Sequence, residues 1–516
     1  MTAVDHVPAH CPFTICYEGD AYSTALKVMG RQAAGQALMK AVAQAWPQGL
    51  VRGVGSNKHM ATAMFRQLQA DGFAGELKWS SLPDWQTSRD TGAVYYTSPP
   101  SADWAAARNL VAPAAFSLMG VTHSLSTHAS MDRVAALVLP PFKPWDALIC
   151  TSAAARTFVT KLHEEIRAYW QEHTGANRFV EVQLPVIPLG VDAAAFAPTP
   201  GGRAAARQAL GLQPEDIAFL FAGRLAFQAK ANPAPAYQAL ERIARTRPVV
   251  CIEAGVFANE AIRRAYLAAQ QALAPSVRFI WVDGQAEAGA PADYRMAWQA
   301  ADVFVSLADN VQETFGLTPL EAMAAGLPVV VSDWSGYMDT VRDGVDGYRI
   351  PTILPPPGVG DDLALRHALA LDSYDVHVGR ASLATVVEPR TLQSALERLA
   401  RDAALRSQMG AAGRARALAE FDWPLILRRY CDFAAHLEKI RACSANAAAQ
   451  TWPLRADPFR RFAHFATEPL NGSWPARARP DAVARLRVLL SLGAASFGGE
   501  PAEAACHALL SVLKSS

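Results

Sequence analysis

The sequence predicts an α/β protein made of two doubly wound domains that face each other across a cleft. From Ile217 onward, short apolar runs alternate regularly with longer Ala-rich segments of helical period, and a weaker form of this pattern fills the first half. The runs are apolar nearly throughout, which is typical of strands covered on both faces in a parallel sheet. With 51% apolar and 18% charged residues, the 516-residue chain has enough apolar material for two cores.

The clearest strands are predicted in the second half of the chain. Five runs there are rich in β-branched or aromatic residues, at residues 217–222, 249–254, 277–282, 302–307 and 327–332. The segments between them are long enough for crossover helices, near residues 233–245, 259–273, 293–300, 316–325 and 337–342. This alternation predicts a doubly wound domain.

The first half is predicted to form a second domain of the same type. Candidate strands lie at residues 13–16, 93–96, 114–118 and 147–150, and a helix of period 3.6 is predicted over 29–46. Residues 188–202 concentrate Pro, Gly and small residues, as a linker does. Because ligands bind off the carboxyl ends of strands in open α/β sheets, we expect the functional residues in loops that follow strands.

Charge and cysteine content narrow the classes of partner. The 48 Lys and Arg residues against 47 Asp and Glu give a net charge of +1, so no global charge favours nucleic acid or an anionic membrane. The seven cysteines lack CxxC spacing, which indicates free thiols in a reducing compartment. The segment MTAVDHVPAHCPF lacks the features of a signal peptide. We therefore expect a cytoplasmic protein that binds no nucleic acid, and leave open peripheral contact with the inner membrane face.

Two cations follow the first strand of the second half. Arg224 lies on the loop after residues 217–222, and Lys230 comes six residues later, before a helix that begins near Asn232. A guanidinium and an ammonium beside a helix N-terminus suit a diphosphate. Spacing alone leaves a solvated basic loop as the alternative.

Two glutamates stand eight positions apart in the string QETFGLTPLEAMAAG. Glu313 lies on a loop after a strand, and Glu321 lies in the first turns of the following helix. Gly316 between them allows close approach of backbone N–H groups to a ligand, and carboxylates accept hydrogen bonds from sugar hydroxyls. The alternative for Glu321 is a cap or an ion pair on its own helix.

These motifs resemble the group 1 (family 4) retaining glycosyltransferases of GT-B fold. The resemblance rests on GRLAFQAK, EAGVFANEAI, VDG, ETFGLTPLEAMAAGLPVVVSD and DGVDGY, and the Glu-x7-Glu element is its most specific part. In the first half, IPLGVD resembles the segment that crosses between domains, and GVTH, ending at His123, resembles the active-site histidine loop. The resemblance covers residues 29–430.

The resemblance implies a role for each matching residue. Arg224 and Lys230 would bind the donor diphosphate, Glu313 the donor sugar and Glu321 the ribose, while His123 would approach the sugar from the first domain. The backbone around Glu313 would assist with the sugar, and the end of the 277–282 strand would lie near the nucleobase. The residues concerned are Thr314, Phe315, Gly316 and Leu317 for the sugar, and Val282, Asp283 and Gly284 for the base.

One departure concerns the paired-glycine phosphate loop that the family has early in its first domain. Gly30 and Arg31 stand there instead, so Arg31 is a candidate for phosphate or acceptor binding, with a surface cation as the equal alternative. No Asp-x-Asp element follows a strand, so we expect no metal and no cofactor besides the nucleotide sugar.

The predicted domains are an acceptor-side domain (1–190), a donor-binding domain (191–421), a helix that crosses back to the first domain (422–441) and a helical extension (442–516). The predicted activity is transfer of a sugar from a nucleoside diphosphate sugar to a hydroxyl of a glycan, a lipid-linked or a small-molecule acceptor. The alternatives are a nucleotide-sugar epimerase, a phosphorylase and a non-catalytic nucleotide-sugar-binding module.

Overall fold

A computed structural model describes residues 8–23, 30–82, 84–284, 291–444 and 447–468, together with scattered positions further along the chain. The chain divides into two compact units, Met1–Trp452 and Pro453–Ser516. Both predicted α/β domains lie within the first unit, and we call them the first and the second lobe.

The first lobe is built on a six-stranded parallel sheet. Its strands are β1 (Thr14–Cys16), β2 (Leu50–Gly55), β3 (Glu76–Ser81), β4 (Ala93–Tyr95), β5 (Ser117–Val121) and β6 (Ala147–Ile149). Its helices are α1 (Gly30–Ala45), α2 (Lys58–Ala70), α3 (Gln86–Thr91), α4 (Ala102–Val111), α5 (His128–Ala136) and α6 (Ala153–Thr174). The strand order is β3-β2-β1-β4-β5-β6, that of the dinucleotide-binding α/β folds.

The second lobe repeats this topology. Its strands are β7 (Ile217–Ala222), β8 (Val249–Gly255), β9 (Arg278–Asp283), β10 (Val303–Ser306), β11 (Val329–Ser332) and β12 (Gly347–Ile350). The helices are α7 (Gly202–Ala209), α8 (Ala234–Ala244), α9 (Glu260–Leu273), α10 (Pro291–Ala300), α11 (Leu317–Ala324) and α12 (Tyr337–Thr340). The order β12-β11-β10-β7-β8-β9 is the same order as in the first lobe. The predicted GT-B fold, with two Rossmann-like domains, is confirmed.

The sheet of each lobe has apolar clusters on both faces, as the continuous apolar runs require. In the second lobe, the four residues of β10 and of β11 are all buried. In the edge strand β3, the first four residues alternate between exposed and half-buried positions, and Ser80 is its one buried residue. This strand is therefore more polar than the central strands. The edge strands β3 and β12 carry no continuous apolar run, and the apolar run of the inner strand β2 is interrupted by Arg52 and two glycines. For this reason β2, β3 and β12 are absent from the sequence prediction.

One predicted strand was displaced along the chain. The prediction placed it at 114–118, whereas β5 spans Ser117–Val121. Gly120 lies inside the strand because its missing side chain admits a close neighbour: a Cβ there would lie 2.5 Å from the carbonyl oxygen of Ser98. A glycine that looks like a strand terminator in sequence is therefore a packing requirement.

The chain leaves the second sheet through a small inserted region and then returns to the first lobe. The insertion and return comprise β13 (Thr352–Ile353), α13 (Asp361–Ala368), α14 (Tyr374–Leu383), β14 (Val386–Val387), α15 (Pro389–Arg401), α16 (Ala403–Arg416) and α17 (Trp423–Ala442). Helix α17 buries Trp423, Ile426, Leu427 and Tyr430 in the core of the first lobe. The predicted returning helix is therefore present.

The two chain crossings between the lobes run side by side. The N–H of Val191 donates to the carbonyl of Phe421 at 2.8 Å, and the N–H of Trp423 donates to the carbonyl of Val191 at 3.2 Å. Gly190 faces the Trp423 ring so closely that a Cβ would lie 2.4 Å from it. The two crossings between the lobes are therefore joined to each other by backbone hydrogen bonds.

The second unit is described only in part. It contains a 3-10 turn at Pro453–Arg455, α18 (Pro458–Arg461) and another 3-10 turn at Ala463–Phe465. Most of the helical extension predicted for 442–516 lies outside the described residues. Among the helices that the structure describes, none combines the length and the apolar character needed to cross a membrane.

Candidate active site at the switch point of the second sheet

The position of the candidate site follows from the strand order. In the second sheet, the chain direction of the connections reverses between the neighbouring strands β7 and β10. In open α/β sheets, the crevice outside the carboxyl ends at such a point is where ligands bind. Arg224 and Lys230 follow β7, and Glu313 follows β10. The fold therefore brings the predicted cations and the first predicted carboxylate to the two sides of one crevice.

Lys230 and Glu313 form an ion pair in this crevice. The Nζ atom of Lys230 lies 2.9 Å from Oε2 of Glu313, and the backbone N–H of Phe315 donates to Oε1 at 3.3 Å. The lysine side chain is 31% exposed and the glutamate side chain 10%. Burial raises the pKa of Glu313, but the ammonium of Lys230 and the hydrogen bonds outweigh it and hold the pKa below its ordinary value. Glu313 is therefore an anion at neutral pH.

Glu321, in the second turn of α11, has a different environment. Burial raises the pKa of its carboxyl to about 7, and the positive charge of Lys230 counteracts part of this rise. Among the described residues, no hydrogen bond to this carboxyl group is present, although its backbone carbonyl is bonded within the helix. Glu321 thus lies within electrostatic reach of Lys230 with its carboxyl group available to a ligand.

Arg224 is half-buried, and in the part of the chain that the structure describes its guanidinium makes no ion pair. The predicted base-contacting residues Val282, Asp283 and Gly284 lie at the carboxyl end of β9. Since β9 is two strands away from β7, the two strand ends lie roughly 10 Å apart. These residues therefore lie on the same sheet edge as the cations but do not adjoin them.

Gly316 shapes the turn that leads from Glu313 into α11. It is the residue before the helix, with φ +90°, a backbone conformation that favours glycine. A Cβ at this position would lie 1.9 Å from a ring carbon of the buried Tyr337. The first N–H groups of a helix have no partner within it, so those of α11, which begins at Leu317, are candidate donors for an anion or a sugar oxygen.

The first lobe reaches this loop through direct hydrogen bonds. The Thr314 hydroxyl donates to the backbone carbonyl of His123 at 2.7 Å, and the Ser152 hydroxyl donates to the carbonyl of Thr314 at 2.7 Å. At the start of α6, the N–H of Ala153 donates to Asp339 at 2.5 Å. The histidine predicted to face the sugar therefore lies beside the loop of Glu313 in the opposite lobe.

His123 is held as a neutral imidazole. Burial, and secondly the positive charge of Arg31, lower the pKa of its side chain to about 4. Arg31 itself lies at the start of α1 and contacts Asp20 at 3.2 Å, next to Gly30. This arrangement places the charge of Arg31 near the crevice, but its own salt bridge engages part of the guanidinium.

Several polar residues of the site are absent from the sequence prediction. Ser152 contacts the loop of Glu313, and Asp309 and Asn310 contact the segment of Lys230. Tyr374 bridges to the first lobe by a 2.7 Å contact with the hydroxyl of Ser126. Asp309 and Asn310 lie on the loop after a buried strand, the same sequence feature that identified Glu313 as a candidate. This feature could therefore have identified Asp309 and Asn310 as well. The contacts of Ser152 and Tyr374, in contrast, depend on how the two lobes meet.

The two lobes have the GT-B fold, and the crevice lies at the switch point of the second sheet. Residues 202–353 match the family model described as Glycosyl transferases group 1. The predicted resemblance to the group 1 glycosyltransferases is thus confirmed for this segment.

Curated relatives are similar over part of their length. A D-inositol 3-phosphate glycosyltransferase of Mycolicibacterium gilvum is 32% identical over 214 residues, 40% of this chain and 43% of the relative. One of the same description from Actinosynnema mirum is 37% identical over 191 residues, 34% of this chain and 42% of the relative. The chain thus spans less than half the length of these relatives.

Solved structures share the fold at low identity. HepE of Anabaena, in complex with UDP and glucose, is 16% identical with a TM-score of 0.54, covering 82% of this chain and 100% of its own. A glycosyltransferase from Rickettsia africae is 13% identical with a TM-score of 0.52, covering 83% of this chain and 99% of its own. These similarities concern the two-lobed architecture.

Proposed function

We propose that this protein transfers a glycosyl unit from a nucleoside diphosphate sugar to an acceptor hydroxyl, with retention of anomeric configuration. The observation that carries the proposal is the contact of Lys230 with Glu313 at the switch point of the second sheet. An ammonium binds phosphate and a carboxylate accepts hydrogen bonds from sugar hydroxyls. Their separation of 2.9 Å suits the junction where a sugar is joined to a diphosphate.

In this proposal the cations stabilise the leaving group. Negative charge develops on the diphosphate as the bond to the sugar breaks, and Arg224 and Lys230 are placed to offset it in a partly desolvated crevice. The N–H groups at the start of α11 add partial positive charge at the N-terminus of the helix. With this cationic set, we propose a reaction that needs no metal ion.

Glu313 and His123 would hold the sugar from opposite sides. Glu313 is ionised and accepts hydrogen bonds from hydroxyls, while the neutral His123 presents one donor and one acceptor nitrogen. In the part of the chain that the structure describes, neither group is paired with a second carboxylate in the arrangement of a nucleophile and an acid. We therefore propose a front-face displacement in which an oxygen of the departing diphosphate takes the proton of the acceptor hydroxyl.

The acceptor would bind to the first lobe, beside His123 and Arg31. We propose a hydroxyl of a glycan, a lipid-linked saccharide or a small polyol as its chemical class. The name of the relatives, D-inositol 3-phosphate glycosyltransferase, supports a polyol among these. A cytoplasmic location, with peripheral contact at the inner membrane face, belongs to the same proposal.

The first experiment is a thermal-shift screen with UDP, GDP and ADP and their sugars. A ligand at 100 times its Kd adds about 2.7 kcal/mol to the free energy of unfolding, so the preferred nucleotide raises Tm. Transfer is then measured with that donor, with and without EDTA, and the anomeric configuration of the product is assigned by NMR. Activity that survives EDTA is expected.

Variants test the site itself. Lys230→Ala and Glu313→Ala are expected to lower kcat/KM for the donor by roughly 100-fold or more, in line with the loss of one preorganised electrostatic contact. Lys143→Ala is the matched control, because this lysine contacts Gln450 on the surface of the first lobe. Wild-type rates in both site variants, or no binding of any nucleoside diphosphate by the wild type, would rule out the proposed function.

A further inference from the structure

Two buried polar residues hold the backbone that carries Lys230. The Nδ2 atom of Asn310 donates to the carbonyl of Lys230 at 2.7 Å, and Oδ2 of Asp309 accepts from the N–H of Asn232 at 3.0 Å. Asp309 and Asn310 follow β10, whereas Lys230 and Asn232 follow β7. The two contacts thus fasten residues 230–232 at both ends to the loop of the neighbouring strand.

Asp309 and Asn310 are themselves held in place. They are 3% and 1% exposed. Oδ1 of Asp309 accepts from the hydroxyl of Ser382 on α14 at 2.7 Å, and the indole N–H of Trp334 donates to the carbonyl of Asn310 at 2.9 Å. Oδ1 of Asn310 accepts from the N–H of Gln312 at 3.0 Å, so the polar atoms of both side chains are engaged, which restricts their rotamers.

The same loop carries Glu313. The N–H of Glu313 donates to the carbonyl of Asn310 at 3.4 Å, and the side chain of Glu313 contacts the ammonium of Lys230 at 2.9 Å. One short segment after β10 therefore fixes both the carboxylate and, through the backbone of a distant segment, the cation that faces it.

We propose that Asp309 and Asn310 are positioning residues that set the Lys230 ammonium against Glu313 and the donor diphosphate. The proposal rests on the proposed function of this site. Asp309 acts on the donor only through the Lys230 segment, since both of its oxygens are engaged by protein groups.

A carboxylate in this place is costly, because burial raises the pKa of Asp309 to about 6 against the hydrogen bonds from Ser382 and the N–H of Asn232. An asparagine could accept from the same N–H and donate to the Ser382 hydroxyl. Asp309→Asn therefore keeps the geometry, whereas Asp309→Ala removes both contacts.

The test uses the full chain and the nucleoside diphosphate sugar that the wild type prefers. Asp309→Ala is expected to lower kcat/KM for the donor by roughly 10-fold to 100-fold, since misplacement of a catalytic group by about 1 Å costs that much. KM for the acceptor stays at its wild-type value. Asp309→Asn is expected to restore the rate to within about threefold.

A mutant cycle separates positioning from general loss of structure. In a Lys230→Met background, Asp309→Ala is expected to change the rate less than twofold, because the group it positions is gone. Asp302→Ala is the matched control. Asp302 immediately precedes the first residue of β10, at the opposite end of the strand from Asp309. Its carboxylate likewise accepts from a backbone N–H, that of Ala218, at 2.8 Å. Its replacement is expected to lower Tm without changing the rate per folded molecule.

Two results would overturn the proposal while the wild type stays active. The first is that Asp309→Ala has the wild-type rate per folded molecule. The second is that Asp309→Ala lowers the rate by the same factor in the wild-type and in the Lys230→Met background. A wild type that binds none of UDP, GDP and ADP instead removes the proposed function, and the positioning role with it.

Discussion

Replacing Lys230 with Met tests the electrostatics of the site without any substrate. The change keeps an unbranched side chain that is one heavy atom shorter, and it removes the charge opposite Glu313. Breaking a fully buried ion pair costs about 3–5 kcal/mol, and an exposed pair contributes about 0–1 kcal/mol. With side chains 31% and 10% exposed, this pair lies between these limits. We expect the variant to lose roughly 2 kcal/mol at pH 8, or about 4–8 °C in Tm for a lobe of this size.

The loss should depend on pH in a defined direction. In the wild type the pKa of Glu313 is lowered, so its contribution to stability is present above the ordinary pKa of 4.5 and is lost as pH falls through the folded value. Without Lys230, burial dominates and the pKa lies above 4.5, so the variant loses stability as pH rises. The difference in the free energy of unfolding between the two proteins therefore grows from pH 5 to pH 8.

Urea unfolding of the ligand-free proteins at pH 5 and pH 8 measures this difference. The double variant Lys230→Met, Glu313→Gln is the control, because it leaves no unpaired charge and is expected to regain most of the lost stability at pH 8. An equal loss at both pH values, or a double variant as unstable as Lys230→Met, would refute the reasoning.

Three further predictions concern neighbouring groups. Gly316→Ala is expected to destabilise the protein by about 2–5 kcal/mol and to abolish donor binding, because the new Cβ meets the ring of Tyr337. Glu321→Gln is expected to raise the free energy of unfolding by roughly 1–3 kcal/mol at pH 8 and by little at pH 4.5, since the raised pKa of Glu321 makes the wild type lose stability as pH rises through about 7. Thr314→Val removes the hydrogen bond to the carbonyl of His123, which contributes about 0.5–1.5 kcal/mol to lobe closure, so small-angle scattering should show a larger radius of gyration.

Control variants test the predictions for Gly316 and Thr314, and one outcome would contradict the prediction for Glu321. Gly326→Ala has a similar positive φ but open space around the new Cβ, with a carbon of Pro198 at 3.9 Å, so it should cost only about 1–2 kcal/mol. Thr385→Val removes a hydroxyl whose hydrogen bond to the carbonyl of Ala381 stays local, and should leave the scattering unchanged. A Glu321→Gln variant that loses stability at pH 8 contradicts the raised pKa.

The sequence predicted the central strands well because they are buried on both faces. The strand predicted at 217–222 has these bounds in the structure, and those predicted at 302–307 and 327–332 contain β10 and β11. The inserted helices α13 and α14 were not predicted. Their apolar residues are largely exposed, including Leu365 and Leu383 at 59% and 76%, so they follow no core-facing pattern.

The candidate site was predictable in part for a similar reason. Residues that follow neighbouring parallel strands must meet at one edge, so the sequence pattern could bring Lys230 and Glu313 together. The contact of Thr314 with His123 joins positions 191 residues apart in different lobes. It depends on the angle at which the lobes close, which no local pattern specifies. The roles of the site residues stay predictions until the variants are measured.

The return of α17 to the first lobe has a consequence for how the protein folds during its synthesis on the ribosome. The core around β1 to β6 includes Trp423, Tyr430 and Leu437, yet β6 ends at residue 149. At 5–20 residues per second, the ribosome needs roughly 15–55 s to add the intervening chain. Throughout that interval the part of the sheet face that α17 covers stays open, although α1 and α2 already pack on the same face, and the whole second lobe is synthesised before the core of the first lobe is complete.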